Sequence, residues 1–497
     1  MCDPLQVGWC EVLNAGNVQE CTVKTRQEYV DSLRRLNLEV YMFGERVTNI
    51  VDHPIVAPSM NAVAATYELA QGDIMTATSH LTGKRINRFT HIHQSTNDLV
   101  TKSRMERLMG SYTGTCFQRC AGMDALNTLS VITFDIDRAR GTHYHERFLK
   151  FLRYVQDEDL VCDAAMTDAK GDRRLRPAQQ ADPDMYTHIV REEPDGIVVR
   201  GAKLHQTGAL NSHEIIVVPT RAMREEDKDY AVSFAIPSDT KGVIYIYGRQ
   251  PSDTRKLEGK TYDVGNLYYG GHECLVVFDD VFVPWERVFM CREHEFASEL
   301  VEKFASYHRQ SYACKCGMGD VLIGATQTIA EYNGIAEVPH VRDKIVEMNH
   351  LNETIFCCSL ACAYEGSVQP SGTYYVNSLM ANITKLHVTR VPYELACMAH
   401  EIAGGIVVTI PSEKDLRDPR IGKYVEKYMK GVPEVPAETR MRVLRLIEGL
   451  TLGMGAVCYL PESMHGAGSP QAQRIMIGRQ ANLGAKQKAA KRLCGIE

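Results

Sequence analysis

Cys116 and Cys120 bracket the tripeptide Phe117-Gln118-Arg119. At that spacing two thiols share a face of any helix containing both, close enough to ligate one metal ion or iron–sulfur cluster. Two small buried core cysteines would look the same. Cys358 and Cys362 repeat the spacing inside the apolar stretch FCCSLACAY, where packing explains them better. Residues 307–316 (YHRQSYACKC) are denser in chemistry, offering His308, Tyr312, Cys314, Lys315 and Cys316. On a regular helix at ~100° per residue, Tyr312 falls near His308, Lys315 about 20° from it, Cys316 about 80° to one side and Cys314 about 120° to the other. Two thiols from the first segment, with an imidazole and a thiol from the second, would complete a four-ligand cluster site in which the histidine is the labile ligand. A helix with one surface histidine and two core cysteines is the alternative.

Three polar connections could face a ligand. Residues 166–173 (MTDAKGDR) and 204–214 (LHQTGALNSHE) carry hydroxyls, amides and glycines of the kind that present backbone N–H groups, although ordinary turns use the same residues. Residues 462–470 (ESMHGAGSP) put a carboxylate and an imidazole in a breaker-rich loop that could set a general base beside a ligand, or could simply stop a helix. Neither GxGxxG after a strand nor GxxxxGK[ST] occurs, which argues against Rossmann and P-loop nucleotide sites.

The elements that position these residues change character twice along the 497-residue chain. Residues 25–150 read as mostly helical: Thr25 and Glu28 form a capping box, and Val30, Leu33, Leu36, Val40, Phe43 and Val47 follow three- and four-residue spacing. Residues 60–69 look similar. From 187 to 290 short β-rich runs alternate with turn residues (THIV, GIVV, EIIVV, YAVSFAI, GVIYIYG, ECLVVFDDVFV), predicting a barrel or orthogonal sheet. Helical patterns return over 295–333, 342–365, 373–402 and 437–460, interrupted at 411–420 and by Pro433 and Pro436. A net charge of −6, from 56 basic and 62 acidic residues, supplies no field for nucleic acid. No apolar run approaches membrane-spanning length and the N-terminus has no signal-peptide pattern, so a cytoplasmic protein with its 16 cysteines largely reduced is expected.

From about residue 25 onward the motifs YMFGERV, DHP, HQSTNDL, CFQRCAGMDA, RGAKLHQTG, SYHRQSYACK and ESMHGAGSPQAQR closely resemble the 4-hydroxybutyryl-CoA dehydratase family, itself related to 4-hydroxyphenylacetate 3-hydroxylase. The resemblance implies an α+β multidomain, acyl-CoA dehydrogenase-like subunit. It would comprise an N-terminal extension (1–22), an N-terminal α domain (23–155), a middle β-barrel domain (156–292) and a C-terminal helical bundle (293–497). It further implies a homotetramer holding FAD between subunits, a [4Fe-4S] cluster and a CoA thioester substrate. Cluster ligands would be Cys116, Cys120, His308 and a cysteine after Tyr312. The family carries one more residue between that tyrosine and its Cys-Lys pair than Ala313 alone. Matching Cys-Lys and the downstream GMGD selects Cys314, whereas helical geometry favours Cys316. Gln118, Thr207, Glu273, Tyr312, Lys315, Glu462 and Ala467 match positions implicated in the family's active site. Met166, Thr167, Lys170, His205 and Thr207 would lie along the flavin, and Gly404 and Gly405 would approach a neighbour's FAD.

The implied reaction is radical dehydration of 4-hydroxybutyryl-CoA to crotonyl-CoA, with vinylacetyl-CoA Δ-isomerase activity. No carbonyl acidifies the β-hydrogen directly, so acid–base catalysis alone does not reach it. Under the resemblance, one-electron transfer from the enolate to FAD would acidify that C–H bond, and a cluster iron would serve as Lewis acid on the 4-hydroxyl. His308 or Glu462 would be the base, with Tyr312 and Lys315 donating hydrogen bonds or charge near the leaving hydroxyl. Two other readings stay open: a flavin-dependent aromatic monooxygenase, needing neither cluster nor CoA, and a non-catalytic flavoprotein.

Overall fold

The computed structural model describes residues 23–70, 72–248, 263, 265–266 and 268–496; the expected N-terminal extension, 1–22, lies outside them. Helix α1 (Arg26–Arg34) starts at the capping box, Thr25 N–H donating to Glu28 Oε2 (2.7 Å) and Glu28 N–H to Thr25 Oγ1 (3.2 Å). It stops well short of Val47. The expected helical face through Val40, Phe43 and Val47 is instead a hairpin, β1 (Glu39–Met42) and β2 (Glu45–Val47). The physical cause is the turn: Phe43 and Gly44 both have positive φ (53° and 85°), the geometry of a two-residue hairpin connection, and Gly44 takes it without strain. Val40 and Met42 then point into the core while Phe43 is exposed.

Helix α2 (Ala57–Glu68) and a small hairpin, β3 (Thr76–Thr78) with β4 (Arg85–Asn87), lead to α3 (Thr96–Thr113), α4 (Cys120–Arg140) and α5 (Tyr144–Asp157). Tyr144, Phe148, Phe151, Leu152 and Val155 give α5 one buried stripe at helical spacing.

The middle of the chain forms β5 (Cys162–Ala165), β6 (His188–Glu193), β7 (Gly196–Thr207), β8 (Glu214–Val217), β9 (Val232–Pro237), β10 (Val243–Gly248), β11 (Glu273–Pro284) and β12 (Val288–Cys291). They make two open sheets, ordered β2-β1-β10-β11-β7-β6 and β12-β9-β8-β5. Among the described residues no ladder joins the edges, so the expected barrel is not closed. The sheets share one apolar core instead, with Phe234 edge-on to Phe278 at 6.1 Å. The N-terminal hairpin enters this layer because β1 pairs in parallel with β10.

The C-terminal half is helical: α6 (Ala297–Ser311), α7 (Cys314–Tyr332) and α8 (Pro339–Tyr364), then, after the short pair β13 (Ser367–Val368) and β14 (Tyr374–Tyr375), α9 (Ser378–Val388), α10 (Val391–Ala403), α11 (Glu413–Arg417), α12 (Gly422–Tyr428), α13 (Ala437–Thr451), α14 (Gly455–Tyr459), α15 (Pro461–His465), α16 (Pro470–Gln480) and α17 (Leu483–Leu493). Helix α7 lies directly on α3. A β-carbon on Gly110 would strike the Cys314 carbonyl, and one on Gly317 would strike the Arg107 carbonyl, so the two backbones touch where Cys314 begins its helix. Met105, Met109, Met318 and Leu322 are fully buried on these two helices, and burial of such side chains contributes roughly 1.5–3 kcal/mol each.

Candidate active site

The thiol pair does not share a helical face. Only Cys120 is helical, as the first residue of α4, while Cys116 lies in the loop after α3. Gly114 (φ 61°) and Gln118 (φ 64°) both have left-handed backbone and break the helix. The Gln118 amide is committed within the protein: Nε2 donates to the carbonyls of Ser59 (3.2 Å), Cys116 (3.3 Å) and Gly270 (3.3 Å). Its Oε1 accepts from Ser59 Oγ (3.1 Å) and Asn211 Nδ2 (2.9 Å). Gln118 therefore props the cysteine loop.

The α6–α7 junction sets Cys314 and Cys316 in different surroundings, Cys316 in the same packed cluster as Cys116 and Cys314 in that of Cys120. The helix breaks at Tyr312-Ala313, so the phase that favoured Cys316 does not carry across. Cys314 packs with Phe117, Cys120 and Met109, whereas the Cys316 thiol turns toward the Asn352 carbonyl (3.5 Å) on α8. All thirteen described cysteines are free thiols. Burial pushes the Cys116 and Cys120 thiols well up and Cys314 to about 12; Cys120 is near enough for its charge to raise Cys116, and Cys314 near enough to raise Cys120.

His308 lies one side of this group. Its Nδ1 pairs with Asp124 Oδ2 (2.9 Å), and its ring stacks on Phe304 and meets Tyr312 edge-on. Asp124, fully buried, also accepts from Lys102 Nζ (2.6 Å) and Ser311 Oγ (2.8 Å). Burial pushes its carboxyl up, but Lys102 and His308 outweigh that and hold it below the ordinary value.

On the other side, Lys315 Nζ donates to the Cys458 carbonyl (2.6 Å) and pairs with Glu462 Oε1 (3.2 Å). Glu462 Oε2 is buried without a hydrogen bond. The expected loop at 462–470 begins as helix α15, then turns through Ala467 (φ 53°), whose carbonyl accepts from Arg309 Nε (3.1 Å). Tyr312 O–H donates to the Glu462 carbonyl (3.3 Å), and a β-carbon on Gly466 would strike that hydroxyl. Lys385 of α9 lies over the Tyr312 ring (4.3 Å) and donates to the Ser463 carbonyl. Burial, then the Lys315 charge, push the Lys385 ammonium down to about 7.

The β layer supplies the third wall. Register places Thr207 opposite Glu273, and Thr207 Oγ1 lies 2.8 and 2.7 Å from its two carboxyl oxygens. Burial, and then the neighbouring Glu462, push the Glu273 carboxyl well above the usual range, while Glu462 pairs with Lys315. Met166, Thr167 and Lys170 follow β5, tied to β7 by Leu204 N–H donating to the Thr167 carbonyl (2.7 Å) and by Lys203 Nζ donating to the Met166 carbonyl (2.9 Å). His205 is lowered by burial and by the charges of Lys170 and His465, which places this strip beside the 462–470 turn. Gly404 and Gly405 end α10 and face open space, joined to this group by no contact described above.

Asp124, Lys102 and Lys385 were not singled out by sequence reasoning. Asp124 had a signal, one helical turn after Cys120; the two lysines meet the site only through tertiary packing.

The chain matches two family profiles, 4-hydroxyphenylacetate 3-hydroxylase N terminal over residues 25–290 and C terminal over residues 297–495. It is 54% identical over 487 residues, 95% of this chain and 99% of the relative, to the 4-hydroxybutyryl-CoA dehydratase/vinylacetyl-CoA-Delta-isomerase of Clostridium aminobutyricum. An oxygen-tolerant archaeal 4-hydroxybutyryl-CoA dehydratase from N. maritimus superposes with a TM-score of 0.94 at 54% identity, covering 96% of this chain and 95% of that one. The oxygenase component of a 4-hydroxyphenylacetate 3-monooxygenase, solved with FAD, shares the fold at a TM-score of 0.82 and 22% identity, over 95% of this chain and 98% of its own. With profiles spanning nearly all of it and a near-full-length relative at that identity, the chain belongs to the 4-hydroxyphenylacetate 3-hydroxylase family, on its 4-hydroxybutyryl-CoA dehydratase branch.

Proposed function

We propose that this protein dehydrates 4-hydroxybutyryl-CoA to crotonyl-CoA and isomerises vinylacetyl-CoA. The observation that carries this reading is the near-full-length likeness to the Clostridium aminobutyricum enzyme. The aromatic monooxygenases are distant by comparison, at 25% identity for the Thermus thermophilus oxygenase component.

The residues fit the two cofactors this reading needs. Cys116, Cys120 and Cys314 are free and buried, with Cys120 near each of the other two, and His308 commits Nδ1 to Asp124 while Nε2 remains. Among the described residues no group of three or more His, Cys, Asp and Glu closes around a single ion. Ligands spread about a four-iron cluster need not do so. These four would hold a [4Fe-4S] cluster, while Met166, Thr167, Lys170, His205 and Thr207 would lie along FAD, with Gly404 and Gly405 against a second subunit's FAD. Bound together, FAD supplies one-electron chemistry that acidifies the β C–H bond, and the cluster supplies a Lewis-acid iron.

The chain's own groups divide the proton work. Glu462 Oε2, buried and unbonded beside the Lys315-paired Oε1, is the stronger candidate to take the α-proton. Glu273, its carboxyl pushed up by burial and then by Glu462, accepts from Thr207 Oγ1 and is the candidate proton donor. Lys315, its charge upheld by Glu462 and the thiols against the cost of burial, stabilises negative charge as the hydroxyl leaves, and Tyr312 fixes the 462–470 turn. The protein works as a cytoplasmic homotetramer; among the described residues no single helix is long and apolar enough to cross a membrane. Anaerobic purification followed by iron, sulfide and flavin analysis, then turnover of both CoA thioesters, tests the reading. Protein loaded with flavin and iron that turns over neither thioester overturns it.

A further inference from the structure

The Asp124–His308 contact belongs to a buried chain of groups that runs away from the reacting atoms. Lys102, on α3, and Asp124, on α4, are each fully buried, and Lys102 Nζ lies 2.6 Å from Asp124 Oδ1 and donates to the Tyr307 carbonyl (3.1 Å). With Lys102 on one oxygen, Asp124 is a carboxylate and can only accept. Its other oxygen receives Ser311 Oγ (2.8 Å) and faces His308 Nδ1 (2.9 Å). The proton of a neutral His308 ring must then sit on Nδ1, leaving the Nε2 lone pair free. Asp124 stands one helical turn after Cys120 on α4, so the group that orients the imidazole and the thiol it must meet share one rigid element.

We propose that Asp124, clamped by Lys102, is a positioning residue that fixes His308 as the Nδ1–H tautomer and turns Nε2 toward the thiol pocket. The inference rests on the cluster reading above. Carboxylates that receive the second N–H of a metal-bound histidine are a recurrent way to set ring orientation and basicity, and their loss typically weakens metal retention or activity about 10–100-fold. A salt bridge that merely ties α3 to α4 would leave the spectroscopy of the cluster unchanged, which gives the test its leverage.

The experiment compares wild type with Asp124→Asn and with the double variant Lys102→Met/Asp124→Leu, which removes both members of the buried pair together should the single variant fail to fold. FAD content and melting temperature report folding. Pulsed EPR of the dithionite-reduced protein reads the histidine nitrogen coupling, and iron release to a chelator reads retention. Expected are a nitrogen coupling in wild type, altered or lost in the variants, and iron release faster by about 10–100-fold in variants that keep their FAD. Variants with wild-type coupling and wild-type iron retention overturn the inference while leaving the cluster reading intact. Flavin-loaded wild type without iron overturns both.

Discussion

Glu462 and Glu273 are neighbouring carboxyls held differently: Lys315 pairs with the first, while Thr207 donates to the second, whose carboxyl is pushed up by burial and then by the charge of Glu462. Glu462→Gln is expected to lower both dehydration and isomerisation by about 10²–10⁴-fold, the usual span for a general base, with FAD and iron unchanged. Loss of dehydration alone, with isomerisation intact, would move the base elsewhere. The thiols give a second residue-scale prediction. Cys120→Ala and Cys314→Ala should lose iron, whereas Cys316→Ala and Cys362→Ala should keep it, since Cys316 faces α8 and Cys362 contacts Thr384 on α9. Iron per subunit in anaerobically purified variants decides the matter, and loss confined to Cys316→Ala would reverse the assignment.

At the scale of elements, β5 carries a cost that can be measured. Burial raises the Asp163 carboxyl from 3.8 to about 7, and one of its oxygens has no hydrogen bond. The folded chain therefore keeps a proton that the unfolded chain releases between about pH 4 and 7, so stability falls as pH rises through that window. Asp163→Asn should melt several degrees above wild type near pH 8, with the gap closing toward about pH 4; a constant gap would exclude titration as its cause. The strands of this layer were legible because β8, β9, β10 and β11 are short, dense apolar runs bounded by turn residues. The β1–β2 hairpin was not, because its apolar residues fall by coincidence at helical spacing and two positive-φ residues settle the outcome. In the site, the Cys116–Cys120 pair was legible as a motif, although its loop geometry was not. The Lys102–Asp124–His308 chain joins Asp124 to a residue 184 positions away through packing that no local pattern encodes.

At the scale of the whole molecule, the cysteine loop, the α6–α7 junction, α15 and the β7–β11 ladder converge on the candidate site. Gly404 and Gly405, by contrast, turn outward at the end of α10. Gly405→Trp should leave the subunit folded yet lower FAD content and shift mass photometry from the proposed four copies of the 55.7-kDa chain toward smaller species; unchanged flavin and unchanged mass would remove these glycines from the proposed intersubunit site. The break at Tyr312-Ala313 has its own consequence for how such a chain varies in length. One residue inserted into an unbroken helix rotates everything beyond it by about 100°, which just after Lys315 would put Cys314 and Lys315 out of phase with the Gly317 contact that seats α7 on α3. At the break the two helices already hold independent phases, each fixed by its own packing: α6 by His308 and Tyr307, α7 by the glycine contact with α3. An alanine inserted after Ala313 should be absorbed with iron content and melting temperature nearly unchanged, whereas the same insertion after Lys315 should abolish both cluster and fold. The junction is thus a length buffer, letting the chain gain or lose a residue beside its most demanding side chains without re-aiming them.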